Sequence, residues 1–343
     1  MGCGASHPPA AGKAAGKEPP PAPKPGELVL EEQGLTEITT EFSPDLKLVN
    51  VSKNSLKALP AALTSLSELL ILDASANELT GLPTGISACT LLEELHLYKN
   101  EIKDFPTEIA TLQQLKLLNL FNNKLRKIPD ELGQLANLVE VNVAANKLMM
   151  ISDAAFTNWS SVKILNLYDN NLVRLGSLAP LVCLHELRLY GNNLEDMPTL
   201  GPAKELEVLE VQKNRISKIE DNYFEQLPAL KRLVASDNQL TSFASSILKC
   251  SLLEQLQIQN NKLLSLPGGA PWPTSLLTLF VQDNTSITHL PKELTGCSSL
   301  RRCNLTNLPL GNEASVTAEE LKSICTSKKG GVFWDEHGIK AAG

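Results

Sequence analysis

The sequence predicts an α/β solenoid, a curved coil of short units with a parallel β-sheet on its concave face. Of its 343 residues 62 are Leu, whereas Phe, Tyr and Trp number only 8, 4 and 3. This composition is typical of one small unit repeated many times. An Asn recurs every 22–24 residues along the chain. Aliphatic residues alternate with period two before each Asn, which predicts a short strand with one buried face.

The recurring Asn marks the same place in eleven units. These residues are Asn54, Asn77, Asn100, Asn123, Asn146, Asn170, Asn192, Asn214, Asn238, Asn261 and Asn284. Before Asn100 the aliphatic positions are Leu92, Leu95 and Leu97, and Ile102 follows. The Asn amide both donates and accepts hydrogen bonds, so it suits a buried turn whose backbone groups need partners. We therefore expect the stacked units to form an Asn ladder.

The full pattern is L-x-x-L-x-L-x-x-N-x-L, and by it residues 28–308 are identified as a member of the leucine-rich repeat family. This resemblance implies a horseshoe with about eleven full repeats and capped ends. Seven units end in an apolar residue followed by Pro, as in Leu59-Pro60, and these resemble the intracellular Ras-group class of repeats. Units five and eight contain Phe156 and Phe224 instead and resemble a longer class with a buried Phe on the outer face.

The chain is expected to comprise four segments. These are a disordered lipid-anchor tether at residues 1–26, an N-terminal cap or degenerate half-repeat at 27–45, the repeats at 46–308, and a cap helix with a tail at 309–343. The tether contains seven of the 21 prolines and almost nothing that builds a core. Thr317 and Glu320 form a capping box that predicts a helix through about Cys325. The role of Phe333 and Trp334 in the tail stays open.

The first residues carry a lipidation pattern. Gly2, followed by Ser6, fits the N-myristoylation motif, and Cys3 beside it is a candidate palmitoylation site. One acyl chain gives only marginal membrane binding, so stable attachment needs a second signal. Three Lys and one Glu leave the tether weakly charged, and Cys3 is therefore the predicted second signal. These residues predict attachment at the cytosolic face of a membrane, and the alternative is a coincidental Met-Gly start.

Composition and motifs argue against several other classes. A net charge of −7 and a pI near 5.4 do not supply the basic surface that nucleic acid requires. No apolar run is long enough to span a bilayer, and residues 1–26 lack the apolar segment of a secretory signal. Cys89, Cys250 and Cys297 occupy one repeated position, which predicts small buried side chains in a reducing cytosol. We found no metal, cofactor or catalytic motif, so we expect no enzyme activity.

Two rows of outward-facing residues predict where a partner binds. The inner row contains His96, Asn119, Asn142, Asn166 and Arg188, and the aromatic row contains Tyr98, Phe121, Tyr168 and Tyr190. Strands lie about 4.8 Å apart, so each row becomes a stripe on the concave face. Aromatic residues are enriched at interface centres, whereas this fold does not require them here. Ala144 interrupts the aromatic row and is expected to leave a dip for a partner side chain.

Other interpretations of this surface remain. The rings can simply stack and cover the sheet, or the partner can bind a basic end marked by Lys231, Arg232, Arg301 and Arg302.

The sequence therefore predicts a monomeric, non-catalytic scaffold or adaptor that holds a protein partner at a membrane in intracellular signalling. The Ras-group resemblance implies a small GTPase pathway component or a phosphatase as partner. The alternative is a soluble regulatory subunit similar to the leucine-rich repeat regulators of protein phosphatase 1.

Overall fold

The computed structural model describes residues 24–310. The predicted acylation sites Gly2 and Cys3, the predicted cap helix and the Phe333/Trp334 tail lie outside the described residues. Their assignments stay predictions.

Thirteen short strands form one parallel sheet, which confirms the predicted horseshoe. In sheet order they are β1 (Glu27–Val29), β2 (Leu48–Asn50), β3 (Ile71–Asp73), β4 (Glu94–His96), β5 (Leu117–Asn119), β6 (Glu140–Asn142), β8 (Ile164–Asn166), β10 (Glu186–Arg188), β11 (Val208–Glu210), β12 (Arg232–Val234), β13 (Gln255–Gln257), β14 (Thr278–Phe280) and β15 (Arg302–Asn304). A second parallel pair joins β7 (Met150–Ile151) and β9 (Arg174–Leu175). The sheet extends one strand beyond the eleven units at each end, because β1 pairs with β2 and β15 with β14.

One apolar core runs the length of the sheet. The middle residue of each strand points inward, and Leu72, Leu95 and Leu118 are fully buried. The core continues without a break from Leu46 to Leu305. A single unit is too thin to cover its own aliphatic side chains, so each unit is buried by its neighbours.

Short 3-10 helices lie on the convex side. They are Ala61–Ser65, Ile86–Ala88, Thr107–Thr111, Asp130–Gln134, Asp153–Phe156, Tyr223–Gln226, Ser245–Lys249 and Lys292–Gly296. Pro60 precedes the first, and its carbonyl accepts a hydrogen bond from the Leu63 N–H at 3.1 Å. Pro suits this position because its fixed φ fits a helix start and no N–H is needed there. Segments of five residues or fewer complete no stable α-helix.

The Asn ladder connects successive units through backbone groups. Asn100 Nδ2 donates to the Ala74 carbonyl of the preceding unit and to the Leu97 carbonyl of its own turn, both at 3.0 Å. Its Oδ1 accepts from the Leu79 N–H at 2.9 Å. Asn54 does the same for the half-repeat, since its Nδ2 lies 2.8 Å from the Leu30 carbonyl. The ladder ends at Asn284, because Leu308 takes the next position.

Units five and eight have a thicker convex side. Phe156 and Phe224 are buried there, as their resemblance to the longer class predicted. Phe156 packs edge-on against Trp159 with ring centroids 5.2 Å apart, and Trp159 Nε1 donates to the Leu132 carbonyl of unit four at 2.9 Å. Phe224 packs edge-on against Tyr223 at 5.3 Å. The extra residue in each unit therefore accommodates an aromatic pair.

The repeated Cys position is a buried helix end. Cys89, Cys250 and Cys297 each close a 3-10 helix, where other units place Leu66, Leu112 or Leu135. Burial raises the pKa of the Cys89 thiol and raises that of Cys250 to about 12. Such thiols stay protonated near neutral pH and pack as small apolar side chains.

Candidate protein-binding surface

The sheet register places the inner row in line, as the repeat spacing predicted. His96 pairs with Asn119, Asn119 with Asn142, Asn142 with Asn166, and Asn166 with Arg188. All belong to parallel strands, so their side chains leave the sheet on the same face. Asn166 is buried and the other four are half-buried. The row therefore forms a continuous stripe across units three to seven.

The aromatic row forms a partly self-packed cluster beside this stripe. Tyr168 and Tyr190 stack with centroids 4.5 Å apart and planes at 10°, whereas Phe121 and Tyr168 lie 6.1 Å apart at 45°. All four aromatic residues, including Tyr98, remain half-buried. Burial, with a smaller contribution from neighbouring Tyr168, raises the pKa of Tyr190 to about 12. The Tyr190 hydroxyl is therefore a neutral donor and acceptor at physiological pH.

The expected dip at Ala144 is wrong. Ala144 is fully buried, and Phe121 and Tyr168 meet each other across its unit. A small side chain leaves room for the neighbouring rings to approach, and ring contact stabilises that arrangement. The rings themselves occupy the space that the sequence assigned to a partner side chain.

Arg188 is already neutralised within the sheet. Its Nη2 lies 2.5 Å from Glu186 Oε2, and its Nη1 donates to Asn166 Oδ1 at 3.2 Å. Glu210 Oε2 approaches Arg188 Nε at 3.6 Å, while Glu210 Oε1 lies 3.0 Å from Arg232 Nε. The Glu210–Arg232 contact is an ion pair without hydrogen-bond alignment. A partner must therefore compete with two carboxylates for Arg188.

His96 is also engaged, since its Nε2 lies 3.2 Å from Glu94 Oε2. The predicted basic end is partly neutralised in the same way. Lys231 pairs with Glu207 at 2.9 Å and Arg232 with Glu210. This reduces the case for the basic end as the principal binding site.

The centre of the concave face keeps polar groups available. Asn119 Oδ1 accepts from the Phe121 N–H and Asn142 Oδ1 from the Ala144 N–H, both at 3.1 Å. Neither Nδ2 group has an acceptor among the described residues. Glu140 lies beside Asn142, at the start of β6, and makes no ion pair within residues 24–310. This arrangement suits a partner that brings backbone carbonyls and a cation to a partly aromatic surface.

Sequence reasoning missed Glu140. Its row, six residues before the ladder Asn, also holds Glu94 and Glu186, but those two face His96 and Arg188. Only the side-chain contacts distinguish the unpaired carboxylate from the paired ones.

A row of Gln residues continues the aromatic row toward the C-terminal end. Gln212, Gln259 and Gln282 occupy the same position in later units, and each keeps a buried Oε1 without a hydrogen-bond partner in the described region. The concave face therefore changes from aromatic to amide character along its length.

The described part of the chain, residues 24–310, has no group of three or more His, Cys, Asp or Glu side chains placed to hold a metal ion. Within the same residues, every helix falls short of the length and apolar character that crossing a bilayer requires.

Comparison with known families agrees with this geometry. A profile described as leucine rich repeat matches residues 136–194 and 204–263, and a second matches residues 114–135. The fold is that of a leucine-rich repeat protein. Among solved structures, a leucine-rich repeat protein of Leptospira interrogans is 26% identical over 89% of this chain and 94% of its own, with a TM-score of 0.55. A chain in the crystal structure of PEPR1-AtPEP1 is 27% identical to this one. The match covers 85% of this chain and 44% of that chain, with a TM-score of 0.69.

The curated relatives match only part of this chain and a small part of their own length. Human FLRT2, a leucine-rich repeat transmembrane protein, is 31% identical over 155 residues, or 44% of this chain. The match spans only 19% of the length of FLRT2. The leucine-rich repeat part of FLRT2 has been solved in an octameric complex with latrophilin 3 and Unc5D, and it matches this fold at 22% identity with a TM-score of 0.54.

Proposed function

We propose that this protein is a binding adaptor that holds a protein partner on its concave face. One observation carries the proposal: half-buried aromatic rings, unpaired amide donors and the unpaired carboxylate of Glu140 lie side by side at the centre of the sheet. Aromatic anchors with adjacent polar groups are the composition of protein interfaces.

The leucine-rich repeat complexes support a protein as the occupant. The repeats of FLRT2 occur in a complex with other proteins, and the same horseshoe offers the same kind of extended inner surface here. The unpaired Glu140 favours a partner segment that carries Lys or Arg, because an opposite charge compensates a half-buried carboxylate. A small GTPase pathway component or a phosphatase is the class that the Ras-group resemblance suggests.

Photo-crosslinking from the aromatic row tests this proposal. A photoreactive residue in place of Tyr168 is expected to yield discrete protein adducts in cells, identified by mass spectrometry. Replacing Tyr98, Phe121 and Tyr190 by Ser is expected to remove these adducts, because each truncation of an interface anchor costs about 1–2 kcal/mol of binding. Loss of ring contacts lowers stability too, so thermal unfolding of the variant is measured alongside.

The matched control replaces Gln212, Gln259 and Gln282, which occupy the same row, by Ser. It is expected to retain the adducts. A second control places the photoreactive residue at Gln134, on the convex side. If it yields the same adducts, the partner does not bind specifically to the concave face.

We also propose that acylation at Gly2, supported by Cys3, holds the adaptor at the cytosolic face of a membrane. The support is the sequence motif, since two acyl chains give stable anchoring and one does not.

Fractionation tests the anchor. Gly2→Ala is expected to lower the membrane-bound fraction of the protein, and hydroxylamine is expected to release a thioester-linked chain from Cys3 in the parent. Unchanged membrane partitioning of Gly2→Ala contradicts the anchor. A phosphatase that co-purifies with Gly2→Ala, with full biological effect, favours the soluble regulatory subunit instead.

A further inference from the structure

A mixed basic and apolar surface lies just beyond the Asn ladder in units four to six. We call it the basic–apolar flank, and it consists of Arg126, Lys127, Lys147, Met149, Met150, Val173 and Arg174. All seven residues are exposed. The flank lies outside both rows of the concave face, so neither the fold nor the proposed protein site accounts for it.

The apolar members of the flank are large side chains that face solvent. Met149, Met150 and Val173 keep 63%, 58% and 49% of their surfaces exposed. They are neighbours, because the Val173 N–H donates to the Met149 carbonyl at 2.9 Å and Met150 pairs with Arg174. Clustered exposed apolar side chains mark contact surfaces in soluble domains.

The β7–β9 ribbon holds these side chains in place. Units five and six lack the Pro that ends most other units, and the Gly176 N–H donates to the Ile151 carbonyl at 2.8 Å. A Pro at residue 176 would remove this donor. Gly176 is required for the close approach, because a Cβ there would lie 2.5 Å from the Ser152 carbonyl carbon. Backbone contacts between units five and six therefore hold the apolar part of the flank in place.

The charge of the flank is of one sign. Arg126, Lys127, Lys147 and Arg174 make no ion pair within residues 24–310, although neighbouring Lys124 pairs with Glu101. At the equivalent positions unit seven carries Glu195 and Asp196, whereas unit three carries Lys103 beside Asp104. The surplus of unpaired cations in units four to six stands out on a chain whose net charge is −7.

We propose that the basic–apolar flank docks on an anionic lipid surface, an inference that rests on the proposed membrane tether. Unpaired Lys and Arg are attracted by anionic headgroups, and exposed Met and Val enter the boundary between headgroups and acyl chains. Gly2 is joined to the described region by a segment whose covalent length allows a reach of up to about 75 Å. Strands β1 and β6 are separated by about 24 Å, so a tether anchored by its first residues allows the flank to reach the same bilayer. The concave face stays open to a protein.

Vesicle binding tests the proposal with the full chain carrying Gly2→Ala, which removes the acyl acceptor. This protein is expected to sediment with vesicles of phosphatidylserine and phosphatidylcholine, and not with phosphatidylcholine alone. Exchanging Lys127, Lys147 and Arg174 for Glu is expected to lower the partition coefficient by at least about a hundredfold, since each lost cation contributes about fivefold near an anionic surface and each new carboxylate is repelled by it. Met149→Ser with Met150→Ser is expected to lower it about tenfold.

The matched control exchanges Lys204, Arg215 and Lys262 for Glu, which changes the net charge equally at exposed sites outside the flank. It is expected to stay within about threefold of the parent, because salt screens distant charges. Met150→Trp reports contact directly, with an emission shift to shorter wavelength on anionic vesicles.

Three results overturn the proposal: no binding to the anionic vesicles, equal binding to neutral ones, or an equal loss in the control. With no vesicle binding, an acidic protein surface becomes the occupant of the flank. Because the vesicle test uses unacylated protein, its failure is distinguishable from failure of the acyl anchor.

Discussion

Asn170→Ala is expected to lower the free energy of unfolding by about 4 kcal/mol. The Asn170 Nδ2 group donates to the carbonyls of Val143 and Leu167, both at 3.1 Å, and its Oδ1 accepts from the Leu148 N–H at 3.1 Å. The side chain is buried. Ala leaves these groups unsatisfied in a space that water does not readily reach, and each costs about 1–3 kcal/mol. Urea unfolding measures the loss, and hydrogen exchange at the Leu148 amide locates it.

The adjacent residue provides a matched control for the ladder. Asn171 is exposed and contributes its backbone N–H, not its side chain, to the Leu148 carbonyl at 2.9 Å. Asn171→Ala is therefore expected to change stability by less than about 0.5 kcal/mol. Asn170→Asp keeps an acceptor but loses both donors and buries a charge, so it is expected to be at least as damaging as Ala. Equal stabilities of the Asn170→Ala and Asn171→Ala proteins contradict the ladder account.

Gly133→Ala is expected to destabilise the protein by about 3 kcal/mol through overpacking. A Cβ at Gly133 would lie 2.0 Å from the Ala154 carbonyl oxygen of unit five. That contact is with backbone, which cannot rotate away as a side chain does. The Gly133 carbonyl also accepts from Asn158 Nδ2 at 2.8 Å, so separation of units four and five breaks this bond too. Thermal and urea unfolding measure the effect.

Gly296 provides the comparison at the end of another 3-10 helix. A Cβ there meets nothing within 4 Å, so Gly296→Ala is expected to be neutral or stabilising by up to about 1 kcal/mol. A Gly133→Ala protein as stable as the Gly296→Ala protein is incompatible with a close contact between units four and five. The thick convex side of unit five, with Phe156 and Trp159, is the physical origin of that contact.

Much of the fold could be predicted from the sequence, because every unit of a solenoid must make the same contacts with its neighbours. The Asn period predicted the ladder, since the same hydrogen bonds must be made at the same step in every unit. The L-x-L alternation predicted the strands and the alignment of His96 with Asn119 and Asn142. The burial of Phe156 on the convex side could also be predicted, because an extra residue and an aromatic side chain appear together in its unit.

The availability of surface side chains was harder to predict from the sequence, because it depends on contacts between units. Arg188 looked available in the sequence, but Glu186 and Glu210 hold it. Ala144 looked like a dip, but rings on both sides meet across it. Glu140 was overlooked, although it is a carboxylate of the concave face that makes no ion pair within residues 24–310.

The sequence by itself therefore determined the leucine-rich repeat, the positions of its strands and ladder, and the rows that line the concave face. These follow from periodicity, which one chain displays in full. Only the tertiary structure decided which side chains in those rows remain available, and that Met149, Met150 and Val173 gather beside unpaired cations. Such properties arise from side chains of different units brought within a few ångströms, a proximity that the stacking of units creates.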